Sequence, residues 1–329
     1  MNGLAASIRS GDRKALARAI TLVESTRAPD RLMAERLLTA LLSSTGNATR
    51  IGISGAPGAG KSTFIETIGG HITRRGGKLA VLAVDPTSSR SGGSILGDKT
   101  RMAELARNPA AFIRPTPAGR VPGGVARRTR EVMLLAEAAG FDQVMVETVG
   151  VGQSEIGVAE MVDLFVLLVS PGGGDDLQGI KRGAMELADV VVITKADGDL
   201  AEAASRALAD FRAALSLIRP KFADLMPRIL KVSSITGAGL GEVWDALEEM
   251  AQHLRSSGRL APLREDQLRS WFWSEVRTTL GEAISTDPAF GAYATRLEAA
   301  VLAGQALPDA AARELLASFR GLDAMGGRP

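Results

Sequence analysis

The sequence predicts an α/β protein: a mostly parallel β-sheet with helices on both faces, extended by helices at both ends. Two observations carry that prediction. From about residue 49 to 255, short apolar runs of strand length alternate with stretches whose apolar residues recur at helical spacing, the pattern of repeated β-α-β units. Before and after that region, helical periodicity alone remains.

Taken in order, residues 1–46 read as two amphipathic helices. Ala15, Leu16, Ala19, Ile20 and Val23 mark the first; Leu32, Met33, Leu37, Leu38 and Leu41 mark the second, with Asp30 as its expected N-cap. The cluster Ser43-Ser44-Thr45-Gly46-Asn47 breaks the pattern and sets a boundary. Strands are expected at 51–54, 79–84, 144–148, 164–169, 190–194 and 229–233, and helices at 62–74, 127–139, 177–187 and 202–218. From 256 to 329 helices are expected at 263–284, 293–302 and 309–319. Trp271, Phe272, Trp273 and Val276 give the first of these an apolar face that must pack on the main domain or on a second chain. The organisation expected is therefore a helical extension (1–46), a central domain (47–255) and a helical arm (256–329).

Composition narrows the chemistry. In 329 residues, 45% apolar and 23% charged, a large core is possible. Basic and acidic residues nearly balance, 39 against 37, which gives no reason to expect nucleic acid as partner. There is no cysteine, which excludes disulfides, thiolate metal sites and thiol catalysis. His71 and His253 are the only histidines, too few for a His/Cys transition-metal centre in one chain. The N-terminus lacks the apolar core of a signal peptide, and no run approaches the roughly 20 residues that span a bilayer. The sequence predicts a soluble, cytoplasmic protein.

Gly55-Ala56-Pro57-Gly58-Ala59-Gly60-Lys61-Ser62 matches G-x-x-x-x-G-K-[ST] throughout, between an expected strand and an expected helix, with Thr63 next in line. Such glycines let the backbone wrap a phosphate, so that N–H groups and the helix N-terminus face the anion. Lys61 is expected to reach the β- and γ-phosphates, and Ser62 to place its hydroxyl on Mg²⁺. The fold expected is thus that of a P-loop nucleoside triphosphatase.

Asp85 and Glu147 end apolar strands and arrive at the sheet's carboxyl edge beside that loop; Asp98 lies in the following Gly/Ser-rich segment. An all-oxygen set of this kind suits Mg²⁺. Glu147-Thr148-Val149-Gly150 stands where many GTPases carry D-x-x-G, whose glycine N–H senses the γ-phosphate. No Gln directly follows Gly150, so the group that positions the attacking water is not identifiable, and slow intrinsic turnover or help from a partner is expected. Thr194-Lys195-Ala196-Asp197 resembles [NT]-K-x-D. A carboxylate at Asp197 accepts from guanine N1–H and the 2-amino group, whereas adenine would leave it unpaired. The stem of Lys195 can cover the base plane. Ser233-Ser234-Ile235 fits the last base loop, whose backbone touches the guanine oxygen.

Beyond these short motifs, Val84-Asp85-Pro86, Gly92 to Met102, Phe112-Ile113-Arg114-Pro115, Glu147 to Glu155 and Gly174 to Lys181 resemble the methylmalonyl-CoA mutase-associated GTPases of MeaB type, also labelled ArgK or LAO/AO transport kinases. The resemblance covers roughly residues 4–280. It implies a SIMIBI-class GTPase with a C-terminal dimerisation arm, and GTP hydrolysis to GDP and phosphate with Mg²⁺. It also implies a client: an adenosylcobalamin-dependent acyl-CoA mutase that the GTPase protects, reactivates and helps to load, without holding cobalamin itself. Methylmalonyl-CoA mutase is the expected client, with ethylmalonyl and isobutyryl types open. By similarity, Lys61 and Ser62 serve phosphate and metal, and Asp85, Asp98 and Glu147 surround the metal. The segment 171–181 answers to the mutase, with Lys181 either stabilising transition-state charge or standing as a solvated helix lysine. At position 194 the family usually has Asn; Thr keeps a hydroxyl and loses the amide, so modestly weaker guanine affinity is expected. The rival readings are a kinase or ATPase linked to amino-acid transport, which Asp197 argues against, and a metal-insertion GTPase, which the lack of Cys argues against.

Overall fold

The computed structural model describes residues 2–85, 102–117, 124–148, 154–171, 182–218, 220–286 and 288–325. Seven parallel strands form one sheet in the order β3-β2-β4-β1-β5-β6-β7: β1 Thr49–Gly55, β2 Leu79–Asp85, β3 Ala111–Pro117, β4 Gln143–Thr148, β5 Leu164–Val169, β6 Val190–Ile193 and β7 Arg228–Lys231. Every strand therefore delivers its C-terminal residue to the same edge.

The sequence encodes this through burial on both faces. All six residues of β5 are buried, so the strand reads as one apolar run. On one face, Ile51, Ile53, Val166 and Leu168 pack against Phe64, Ile65 and Ile68 of helix α4 (Lys61–Arg74) and against Val243, Leu247 and Met250 of the helix Leu240–Ser256. On the other, Val144, Val146, Phe165 and Leu167 pack with Val132 and Leu135 of the helix Gly124–Ala138 and with the N-terminal helices. Gly52 is needed between the two isoleucines of β1: a Cβ there would come within 2.9 Å of Phe165 and Val158.

Three details differ from the expectation. The N-terminal extension forms three helices, α1 Asn2–Arg9, α2 Arg13–Glu24 and α3 Ala28–Leu41. The third starts before Asp30, because Pro29 fits its first turn, and Asp30 instead accepts a hydrogen bond from Ser25 Oγ at 2.7 Å. The seventh strand, β3, was not expected, since Pro115 and Pro117 read as breakers. It pairs only with β2, and an edge strand tolerates proline.

Residues 1–267 form one compact unit, in which Ile8, Leu16, Ile20 and Leu37 of the N-terminal helices join the sheet's core. Residues 268–329 form a second. Within it, Phe272 and Trp273 are 60% and 53% exposed, their rings edge to face with centroids 5.4 Å apart. Among the described residues, no helix is long and apolar enough to cross a membrane.

Candidate nucleotide and metal site

The glycine-rich loop links β1 to α4 as the motif requires. Gly55 lies so close to β5 that a Cβ would meet the Leu168 carbonyl at 2.4 Å. Gly58 and Gly60 take φ of 82° and 88°, and Gly60 is the N-cap of α4. Ala56, Pro57 and Gly58 are exposed, while Ala59 is buried. Lys61 Nζ donates to the Gly55 carbonyl at 2.6 Å and the Ala56 carbonyl at 3.2 Å, so its ammonium lies inside the curve of the loop. Burial pushes the Lys61 pKa below the usual lysine range, against the opposing pull of the Glu147 and Glu155 carboxylates. Thr63 is exposed on the first turn of α4.

Ser62, next to that lysine, donates from Oγ to Glu147 Oε1 at 3.2 Å. Glu147 is buried near the end of β4, which neighbours both β1 and β2. Asp85 ends β2 one position beyond the pair Val84 and Thr148, at the same rim. A hydroxyl and a carboxylate in contact, with a second acid on the adjacent strand, make a hard oxygen donor set that suits Mg²⁺ rather than a softer metal. Among the described residues, no three His, Cys, Asp or Glu side chains form a group that could hold a metal ion.

On the far side of β1, the loop after β6 carries the other half of the site. Thr194 is buried, and its hydroxyl donates to the Ala59 carbonyl at 2.7 Å, with the Val169 carbonyl at 3.1 Å. One side chain thus ties the loop after β6 to the glycine-rich loop. Lys195 is exposed with φ 53°, a left-handed conformation that turns the chain sharply. Ala196 N–H then bonds the Val232 carbonyl, drawing the loop after β7 alongside. Ser233 Oγ donates to Asp197 Oδ2 and accepts from Thr236 N–H. Asp197 is held by this bond while remaining partly exposed. Ser234 is partly exposed, and Ile235, at 85%, stands in solvent. Gly239 closes the loop, where a Cβ would meet the Lys231 carbonyl at 2.0 Å.

The structure thus gathers Gly55 to Ser62, Asp85, Glu147, Thr194 to Asp197 and Ser233 to Ile235 at one edge of the sheet. Asp98, Gly150 and Lys181 lie outside the described residues. Sequence reasoning assigned no role to Ser54, Thr148 or Glu155. These form a buried chain below the loop, in which Thr148 Oγ1 donates to Ser54 Oγ at 2.9 Å and Ser54 Oγ to Glu155 Oε1 at 3.3 Å. The available signal was position: Ser54 is next to last in β1 and Thr148 is last in the neighbouring β4, each one residue from a site residue.

A family profile described as methylmalonyl Co-A mutase-associated GTPase MeaB matches residues 16–289. A putative GTPase of Caulobacter vibrioides is 54% identical over 310 residues, covering 94% of this chain and 95% of that one. The mitochondrial methylmalonic aciduria type A homolog of Mus musculus is 47% identical over 320 residues, 94% of this chain and 77% of the other. A crystal structure described as an LAO/AO transport system kinase superposes with TM-score 0.78 at 38% identity, covering 97% of both chains. With the match spanning most of its length, this chain belongs to the methylmalonyl Co-A mutase-associated GTPases of the MeaB family.

Proposed function

We propose that the protein hydrolyses GTP to GDP and phosphate as a conformational timer for an adenosylcobalamin-dependent acyl-CoA mutase, most simply methylmalonyl-CoA mutase. In this reading it protects, reactivates and helps to load the mutase without holding cobalamin itself. The single observation that carries the nucleotide half is the Thr194–Ala59 hydrogen bond. It ties the glycine-rich loop to the loop that carries Asp197, which supports one nucleotide lying across both.

The roles follow from the chemistry present. Lys61 exchanges two carbonyl partners for β- and γ-phosphate oxygens, which as anions bind it more strongly. Ser62 and Glu147, with Asp85 and Asp98, are the residues that would hold Mg²⁺. The ion, when bound, neutralises charge developing on the phosphates. Asp197 accepts from guanine N1–H and the 2-amino group, the Lys195 stem covers the ring, and the Ser234–Ile235 backbone meets the guanine oxygen. Gly150 senses the γ-phosphate, and Lys181 is proposed to supply charge stabilisation when its segment answers to the client. The family of the chain supports the client assignment, as does the name of its mitochondrial relative. Residues 256–329 are proposed as a dimerisation arm, and the cytoplasm as the compartment.

Steady-state hydrolysis of GTP and ATP, with and without methylmalonyl-CoA mutase, tests the proposal. GTP is expected to be preferred strongly, and turnover to rise at least about tenfold with the mutase, below the roughly 10³–10⁵ that a partner-supplied arginine gives in GTPases. A rate indifferent to the mutase removes the client; equal use of ATP removes the base-reading role.

A further inference from the structure

Glu155 has no part in the chemistry above, yet it is a carboxylate 5% exposed, directly under the phosphate loop. It lies in the first turn of the helix Ser154–Ala159, and Ser54 Oγ donates to its Oε1 at 3.3 Å. Ser54 is fully buried and is followed by Gly55, whose carbonyl holds Lys61 Nζ at 2.6 Å. The Glu155 carboxylate, like Glu147, also pulls the Lys61 pKa upward against the larger effect of burial. Glu147 faces the proposed metal through Ser62; Glu155 bonds instead to a strand hydroxyl. A buried carboxylate, one strand hydroxyl away from the loop where the proposed polyphosphate settles, opposes that ligand's charge.

We propose that Glu155 is a positioning residue whose negative charge restrains Lys61 and weakens the grip on nucleotide, so that GDP is released rather than trapped. The Ser54 hydroxyl offsets part of that charge by donating to it, and Thr148 orients the hydroxyl by donating to Ser54 at 2.9 Å. The inference rests on the proposed nucleotide site and adds a control on its affinity.

The two ends of this hydrogen bond predict opposite effects. Glu155→Gln keeps size and an acceptor for Ser54 but removes the charge. GDP and GTP are expected to bind about three- to tenfold tighter, with a matching fall in the GDP dissociation rate, as fits one unit charge at an intermediate effective dielectric. Ser54→Ala keeps the carboxylate and removes its donor, leaving the charge less offset, and binding is expected to weaken about two- to threefold. A merely structural role would weaken binding in both variants. Titration of each variant with fluorescent GDP, alongside the wild-type protein, reads both effects. Unchanged or weaker binding by Glu155→Gln overturns the inference; should that variant fail to fold, unchanged or tighter binding by Ser54→Ala overturns it alone. Wild-type protein that binds no guanine nucleotide would instead refute the nucleotide site itself.

Discussion

The two rims of the sheet use the same residue types to opposite ends. At the amino rim, Arg264 donates to both oxygens of Asp163 at 2.9 and 2.7 Å and to the Gly46 and Ala48 carbonyls. Asp163 also accepts from Arg50 N–H, and Arg50 Nε donates to Glu137 at 2.6 Å. Gly46 N–H donates to Glu137 as well, and Gln267 bonds the Val162 carbonyl. Asp163 and Glu137 each meet an arginine and a backbone donor. At the carboxyl rim, among the described residues, Lys61 is drawn to loop carbonyls, and the carboxylates Glu147 and Glu155 pull its pKa upward against burial. A closed ion-pair network fastens the linker at 46–48 and the start of the helix Leu260–Thr286 to the sheet. The carboxyl rim holds the proposed site for phosphate and Mg²⁺.

That contrast can be broken at either rim. Arg264→Ala leaves Asp163 buried without its cation, and is expected to cost about 3–5 kcal/mol of stability. Chemical denaturation measures this, and nucleotide affinity of the folded fraction should stay within about twofold, since no Arg264 partner lies at the other rim. A smaller effect sharpens the other side. Thr194→Val removes the hydroxyl that joins the two loops and strands the Ala59 carbonyl, costing about 1 kcal/mol. Guanine nucleotide affinity should fall about fivefold with little change in melting temperature. A loss of stability without loss of affinity would mean that Thr194 serves packing alone.

Much of this was legible beforehand, for identifiable reasons. The strands announced themselves because burial on both faces leaves only apolar residues in them, as in β5. The glycine loop was legible because its backbone permits few residues at positions such as Gly55. β3 was obscured because its prolines are admissible only at a sheet edge, and edge position is a property of topology. Asp30 misled because it has the right type for an N-cap, while Pro29 had already fixed the helix start. Thr194 read as a weakened Asn, since the motif describes contact with the base. Its bond to Ala59 lies 135 positions away along the chain, where no local pattern reaches. Glu155 was hidden for the same reason, its partner Ser54 being 101 positions earlier.

The whole account depends on the phosphate cradle and the Asp197 carboxylate gripping a single guanine nucleotide. Asp197→Asn tests this most directly, through the affinities of GDP and XDP measured side by side on both proteins. An amide can donate to the 2-oxo group of xanthine and no longer accepts two bonds from guanine. GDP affinity is therefore expected to fall about 10- to 100-fold while XDP affinity rises, reversing the preference. Unchanged GDP affinity, with XDP still excluded, would contradict it.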